Sequence, residues 1–224
     1  MNADDVRRGW AERSTEYSPG YYAYYGPNET SEAVRRTLDR LVDSDAAVME
    51  LGCSSGRHLE HLREHGYSDL HGLDINDDAF DVMATEYPDL AEAGTFYHAA
   101  IEDAVGGFDD GQFDVVYSVE TLQHVHADDE WVFPELARIA DDALLTVECE
   151  APVEGSGGSR KPVDGSRTDE EPVDEHASGD AVNYVNGEIP LYYREWGRIF
   201  TALGMVEIEA RSLGRDTLRA FRSG

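Results

Sequence analysis

Short apolar runs alternate with amphipathic stretches along most of this 224-residue chain. Short apolar runs bounded by turn residues are typical of buried strands, and apolar residues spaced at three and four are typical of helices. Their alternation predicts a parallel sheet covered by helices on both faces. We expect strands at 47–51, 69–73, 95–99, 113–119, 143–149, 205–210 and 217–221, and helices at 56–65, 78–87, 129–140 and 191–203.

The last two predicted strands are joined by residues 211–216 alone. A parallel pair needs a crossover of a dozen or more residues, so these two strands must pair antiparallel. The predicted fold class is therefore α/β: a seven-stranded, mostly parallel, doubly wound sheet with an antiparallel last strand.

A glycine-containing turn follows the first predicted strand, in the run Glu-Leu-Gly-Cys-Ser-Ser-Gly at 50–56. Such a turn lets the backbone approach a ligand, and the amides of the next helix can face polar ligand atoms. A dinucleotide fingerprint would need a third glycine at Arg57, so a pyrophosphate fits poorly. The acid at Glu50 suits a ligand carrying a sulfonium and an ammonium, such as S-adenosylmethionine. The predicted ligand contacts in this turn are Glu50, Gly52, Cys53, Ser54 and Gly56.

An acid also ends the second predicted strand, at Asp74, with Ile75 after it. A carboxylate in this place can accept hydrogen bonds from both hydroxyls of a ribose. Asp74 and Ile75 are therefore predicted ligand contacts. The alternative is that Asp74 only caps a helix beginning near residues 76–78.

The run 50–56 resembles the first motif of the class I S-adenosylmethionine-dependent methyltransferases, E/D-x-G-x-G-x-G, with Ser54 replacing the middle glycine. Residues 113–125 resemble that family's fourth strand and the loop after it, and the antiparallel final strands agree with its strand order. The resemblance implies a Rossmann-like fold and in-line transfer of the donor methyl group to an acceptor atom. It also implies donor contacts at Ile101 and Glu102, near the adenine, and at Ser118. Acids at 102 and 103 would equally suit a helix N-terminus without any ligand.

Two residues after the fourth predicted strand are candidate general bases, His124 and its rival Glu120. Histidine has an ordinary pKa near neutrality, which suits proton transfer. No metal site is expected, because the spacing of His124 and His126 matches no compact zinc pattern. Weaker candidates for the acceptor site are Glu148, Glu150, Tyr193 and Arg194.

The predicted core, 46–150, is flanked by segments in which acceptor choice could be encoded. Residues 1–45 are expected to form an aromatic helical cap or lid, whose Trp10 and tyrosines either close over the ligands or are buried on the sheet. Residues 151–188 are acidic and rich in Gly, Ser and Pro, which predicts a flexible insertion. Its end, 183–186, could shape the site, or the segment could be solvated surface. Residues 189–224 should complete the sheet with a helix and a hairpin.

The chain is strongly acidic, with 47 acidic against 18 basic residues and a net charge of −29. Lys161 is its only lysine. This balance is typical of proteins that work in molar salt, where the Debye length falls to roughly 3 Å, and it indicates the cytoplasm of a halophile. It disfavours nucleic acid as a partner and leaves a small-molecule acceptor as the expectation. We expect no membrane span, no signal peptide and no disulfide between Cys53 and Cys149. Oligomeric state stays open.

Two other functions remain possible from the sequence. A protein with this fold could bind the donor without transferring its methyl group and act as a regulator. An NAD-dependent oxidoreductase is the second alternative, disfavoured by Arg57 and by the antiparallel final strands.

Overall fold

The structure is a computed structural model that describes residues 1–150, 182–185 and 187–224. The strands in these ranges are β1 Ala47–Leu51, β2 Asp69–Asp74, β3 Thr95–His98, β4 Phe113–Val119, β5 Ala140–Cys149, β6 Val182–Val185, β7 Ile189–Tyr192, β8 Val206–Leu213 and β9 Asp216–Arg222. The α-helices are α1 Ala3–Ala11, α2 Pro19–Tyr25, α3 Glu29–Leu38, α4 Arg57–Glu64, α5 Ala79–Glu86, α6 Pro88–Ala93, α7 Ile101–Ala104, α8 Val132–Ile139 and α9 Trp196–Ala202.

Seven strands form one sheet in the order β3-β2-β1-β4-β5-β9-β8. The first five strands pair parallel, and β9 lies antiparallel between β5 and β8. The predicted fold class is confirmed. Because β1, β2, β4 and β5 are parallel, the turns that follow them meet at the same edge of the sheet, which is where parallel sheets bind ligands.

Each face of the sheet is covered by its own apolar core. Val48 and Met49 are neighbours in β1 and fully buried, but they belong to different clusters, because alternate side chains of a strand point to opposite faces. One cluster includes Leu38 of α3 and Leu59 of α4, and the other includes Trp196 of α9. Burial on both sides explains why the central strands read as continuous apolar runs.

The segment before the last helix departs from the prediction. A helix was expected over 191–203, but it begins only at Trp196, because Ile189–Tyr192 forms β7 and pairs antiparallel with β6. The four side chains of β7 are buried, so tertiary packing decides the conformation of this short run. The predicted helix 129–140 is also shorter, since β5 already begins at Ala140. Residues 151–181 and 186 of the predicted acidic insertion lie outside the described residues.

The N-terminal helices are tied to the turn after β2. The side-chain amide of Asn76 donates hydrogen bonds to the carbonyl oxygens of Trp10 (2.8 Å) and Arg13 (2.9 Å). Asn76 is buried, so these bonds hold the end of α1 firmly against the carboxyl edge of the sheet. Among the described helices, none is both long and apolar enough to cross a membrane.

Candidate functional site

The turn between β1 and α4 has three residues in the left-handed region of backbone space. Gly52, Ser54 and Gly56 have φ values of 69°, 51° and 83°. A Cβ on Gly52 would collide with the side chain of Thr121, so only glycine fits there. Ser54 adopts the conformation of the glycine that it replaces in the motif, at the strain cost of a non-glycine residue with positive φ. Ser54 therefore takes a positive φ that glycine adopts readily.

Asp74 fixes this turn to the end of β2. One carboxylate oxygen accepts a hydrogen bond from the backbone N–H of Ser54 (2.7 Å), and the other accepts one from the N–H of Asn76 (2.8 Å). Burial raises the pKa of Asp74, while these backbone donors oppose that rise. Each oxygen of a carboxylate has a second lone pair, so both can still accept a hydrogen bond from a ligand hydroxyl. The capping alternative fails in its simple form, since Asp78 and not Asp74 precedes α5.

A cavity of about 410 Å³ opens at this edge of the sheet. Its size falls in the range typical of small-molecule sites. The turn after β1, the end of β2, the start of α7 and the loop after β4 form one side, and α1, α2 and the β6–β7 hairpin form the other. The predicted donor contacts that line this cavity are Gly52, Cys53, Ser54, Asp74, Ile75, Ile101 and Glu102.

Three other predicted donor contacts do not reach the cavity wall. Gly56 is the residue before α4 and packs under Met83 and Leu90. Glu50 and Ser118 are almost completely buried in the sheet below the cavity. Burial raises the pKa of Glu50 well above its usual value, and Tyr117 beside it opposes that rise. Glu50 therefore lies below the cavity wall, and its contact with a ligand stays a prediction.

Glu148, proposed as a residue facing the cleft, is instead buried below it and organises the loop after β4. Its carboxyl group accepts hydrogen bonds from the Ser118 hydroxyl (2.7 Å) and from the backbone N–H groups of Thr121 (3.1 Å), Leu122 (3.1 Å) and Gln123 (3.3 Å). Burial outweighs these donors and raises its pKa to about 7. This role depends on a partner loop about 26 residues away in the chain, so the sequence offered no local signal for it. Glu150 also points away from the cavity and pairs with Arg219.

His124 lines the cavity as a neutral imidazole. Its Nδ1 lies 3.0 Å from the carbonyl oxygen of Pro190, which requires the proton on Nδ1 and leaves Nε2 as an acceptor. Nε2 lies 3.4 Å from the side-chain nitrogen of Gln123, and the ring packs 4.7 Å from that of Trp10. Burial lowers the pKa of His124 to about 4. The group is therefore a permanent hydrogen-bond acceptor near neutral pH and a weak base.

Glu120, the rival candidate base, lines the cavity in an ion pair with Arg215. Its φ is 52°, and its backbone N–H donates to the carbonyl oxygen of Val147 (2.8 Å). Burial raises its pKa, and the nearby Asp216 adds to that rise. Arg215 opposes this rise, but the net shift is upward, so Glu120 is the stronger base of the two candidates and His124 the weaker.

The N-terminal aromatic residues divide into two groups. Trp10, Tyr17 and Tyr22 line the cavity, whereas Tyr24 and Tyr25 are exposed. The first group therefore lies along one side of the cavity, and its closing over bound ligands, the lid alternative, stays a prediction.

The β6–β7 hairpin and the residues after it add further wall to the site. Tyr193 lines the cavity, and its hydroxyl accepts a hydrogen bond from the Asn183 side chain (3.2 Å). Asn186 lies outside the described residues. Arg194, a second acceptor candidate, is buried instead and donates to the carbonyl oxygens of Leu122 and Val125. It stabilises the loop after β4 and does not face the acceptor.

Among the described residues, no group of metal-capable side chains gathers in the cavity. His126 lies beside Asp128 at 3.4 Å, whereas the one group of three in the described part of the chain is Glu32, His61 and His65 on the outer helices. Both oxygens of Glu32 are already bound by arginine side chains.

Cys53 and Cys149 are buried free thiols, and burial raises the pKa of each. They form no disulfide, and neither is activated as a thiolate.

Polar groups of the cavity wall fit the ribose and the methionyl part of S-adenosylmethionine. Besides the spare lone pairs of Asp74, the buried hydroxyl of Ser54 has no hydrogen-bond partner among the described residues. A buried polar atom without a partner is costly, so a ligand that supplies one is favoured.

Comparison with known proteins agrees with this fit. Residues 49–142 match the family model described as "Methyltransferase domain". The matched residues carry the glycine turn and the first four strands, and the strand order of the whole sheet is that of the class I methyltransferase fold. The methyl donor of the chain is accordingly S-adenosylmethionine, as predicted, and the nicotinamide alternative is set aside. No curated protein matches the chain.

Solved methyltransferase structures resemble the whole chain at low identity. A 1,6-didemethyltoxoflavin-N1-methyltransferase of Burkholderia thailandensis, bound to 1,6-didemethyltoxoflavin and S-adenosylhomocysteine, is 12% identical over 87% of this chain and 77% of its own, with a TM-score of 0.61. The magnesium protoporphyrin IX methyltransferase of Synechocystis PCC 6803, bound to S-adenosylmethionine, is 15% identical over 99% and 90%, with a TM-score of 0.60. A methyltransferase of Haloferax volcanii, in complex with the activator Trm112, is 18% identical over 85% and 87%, with a TM-score of 0.59. At these identities the likeness establishes the fold.

Proposed function

We propose that the protein transfers the methyl group of S-adenosylmethionine to a small-molecule acceptor bound in the same cavity. The observation that carries this proposal is the continuity of the cavity wall. It runs from Asp74, where the ribose would bind, past His124 to Tyr193. Donor and acceptor could therefore lie next to each other in one enclosed space.

Methyl transfer from this donor requires mainly that the protein align the donor and the acceptor, because the sulfonium supplies an already activated methyl group. Alignment and exclusion of solvent can supply on the order of 7 to 11 kcal/mol of the required acceleration. Asp74 and the Gly52–Ser54 turn would hold the donor. His124 Nε2 would accept a hydrogen bond from the attacking group in place of the long one from Gln123 (3.4 Å), and orient the lone pair of that group toward the methyl carbon. Trp10 and Tyr22 would keep bulk water away.

Three features support a small acceptor. The cavity is of small-molecule size and is enclosed on one side by α1 and α2. The acidic chain disfavours the phosphate backbone of nucleic acids. Two of the solved relatives are named for small molecules, a toxoflavin precursor and magnesium protoporphyrin IX.

Transfer of labelled methyl groups tests this proposal. The protein would be incubated in concentrated KCl with methyl-labelled S-adenosylmethionine and with separated extract fractions: small molecules, proteins or nucleic acids. We expect label in a product of the small-molecule fraction, and no product with Asp74→Ala in place of the wild type. Label in proteins or nucleic acids would contradict the small-molecule acceptor. Donor binding without any product would favour a regulatory role.

We also propose that the protein works in the cytoplasm of a halophile, on the basis of its net charge of −29. Repulsion among carboxylates destabilises the folded state in dilute buffer, and molar salt screens it. The free energy of unfolding in urea should therefore be higher in about 2 M KCl than in dilute buffer. Equal stability in both solutions would contradict this proposal.

A further inference from the structure

Two outer helices bring three metal-binding side chains together. Glu32 lies in the first turn of α3, His61 lies in the last turn of α4, and His65 directly follows α4. A spacing of four residues places both histidines on the same face of the helix. One ligand atom of each of the three residues lies within 4.8 Å of the other two. This group lies outside the wall of the cavity described above.

The distance between two of these side chains already matches a zinc site. Nε2 of His61 lies 3.1 Å from Oε2 of Glu32. Zinc bonds of about 2.0–2.1 Å at the tetrahedral angle place neighbouring ligand atoms about 3.3–3.4 Å apart. A zinc ion could therefore replace the hydrogen between these two atoms with only a small movement of the side chains.

His65 is held in a tautomer that suits a metal ligand. Its Nδ1 lies 2.7 Å from the carbonyl oxygen of His61, which requires the proton on Nδ1 and leaves a lone pair on Nε2. A hydrogen bond from the other ring nitrogen to a backbone carbonyl is a common support of metal-binding histidines. The rings of His61 and His65 lie 4.4 Å apart, so both imidazoles face the same space.

Two arginines of α3 orient the carboxylate of Glu32. Arg35 donates one hydrogen bond to each of its oxygens (both 2.8 Å), and Arg36 donates a third (2.6 Å). The Arg35 guanidinium, followed by His61 and Arg36, lowers the pKa of Glu32, so the carboxylate is ionised near neutral pH. Carboxylates that bind metals are themselves commonly hydrogen-bonded. The charge of Arg35 is partly offset by a second acid, Asp39.

A buried contact fixes the spacing of α3 and α4 beside this group. The hydroxyl of Ser31 lies 2.7 Å from Nδ1 of His58, and both side chains are buried. Ser31 precedes Glu32 in α3, and His58 lies one turn before His61 in α4. The two helices are therefore held in place without a metal, which favours a preorganised site.

We propose that Glu32, His61 and His65 bind a zinc ion that links α3 to α4, with water as the fourth ligand. Imidazole and carboxylate ligands suit zinc, and the net charge of −29 favours a cation at the surface. The site is separate from the cavity, so the inference does not depend on the proposed function.

Calorimetric titration with zinc chloride tests the inference. The full chain would be used without an affinity tag, after removal of metals with EDTA, at one KCl concentration. The variants are His61→Gln, His65→Gln and Glu32→Gln. The control is His98→Gln, because His98 is an exposed histidine at the end of β3, outside this group. Melting temperatures in EDTA check that all variants are folded.

We expect one zinc ion per wild-type chain. Replacing even an outer partner of a metal ligand costs about 10- to 100-fold in affinity, so each ligand variant should bind zinc at least about tenfold more weakly. His98→Gln should behave as the wild type. At a zinc concentration that saturates the wild type, its melting temperature should rise by more than that of His65→Gln. A wild type that binds no zinc, or unchanged affinity in both histidine variants, would overturn the inference.

Discussion

Replacing Glu148 by glutamine should change how the stability of the protein depends on pH. The rise in the pKa of this buried carboxyl group from 4.5 to about 7 means that the folded state favours the protonated form. Each pKa unit is worth roughly 1.4 kcal/mol, so ionising Glu148 in the folded protein costs about 3 kcal/mol. The contribution is fully favourable below pH 4.5 and is lost as the pH rises through about 7. Between pH 5 and 8, the wild type should lose about 2 kcal/mol that Glu148→Gln, always neutral, retains.

Urea unfolding at constant molar KCl over this pH range measures the effect. Other buried acids contribute to both proteins alike, so the difference between the two slopes isolates Glu148. Glu64→Gln serves as a control, because Glu64 is exposed on α4 and its replacement should leave the wild-type slope unchanged. Equal slopes for the wild type and Glu148→Gln would refute the reasoning. They would mean that the four hydrogen bonds to this carboxylate outweigh its burial.

The glycine turn and His124 give three further predictions. Ser54→Gly should raise the free energy of unfolding by about 1 kcal/mol, because glycine adopts positive φ without strain; lower stability in urea would contradict this. Gly52→Ala should lower the melting temperature and abolish detectable S-adenosylhomocysteine binding, since its Cβ would collide with Thr121; unchanged calorimetric affinity would be inconsistent with the close approach of Thr121 to this turn. NMR titration of the His124 ring should give a pKa near 4, so the ring stays neutral at pH 7, whereas a midpoint near the ordinary value would show that it is solvated.

The bounds of the central strands and the direction of the last two could be predicted from the sequence, because each follows from a local pattern. β1 and β4 have the predicted bounds, since burial on both faces demands a continuous apolar run ending at a polar turn. The antiparallel β8–β9 pair followed from the shortness of its connection alone. The β6–β7 hairpin carried no comparable signal, because each of its strands has only four residues.

Within the site, the residues of the glycine turn and the last residue of β2 could be predicted, whereas polar residues inside the strands could not be oriented. Gly52, Ser54 and Asp74 line the cavity because the turn chemistry itself brings backbone and carboxylate together. Glu50 and Ser118 are one register position apart in neighbouring strands, so the pleat points their side chains to opposite faces of the sheet, and both are buried below the cavity. A sequence does not reveal which face a polar residue at a strand end will take when both faces are buried.

The Asp74 carboxylate is the central residue of the proposed donor site, because it joins the glycine turn to the ribose position. Calorimetric titration of the wild type and of Asp74→Asn with S-adenosylhomocysteine tests this claim most directly. We expect one site per chain in the wild type and affinity at least about tenfold weaker in Asp74→Asn, since a hydrogen bond to a charged group is worth roughly 1.5 to 3 kcal/mol. No binding to the wild type, or equal affinity in a folded Asp74→Asn, would contradict it.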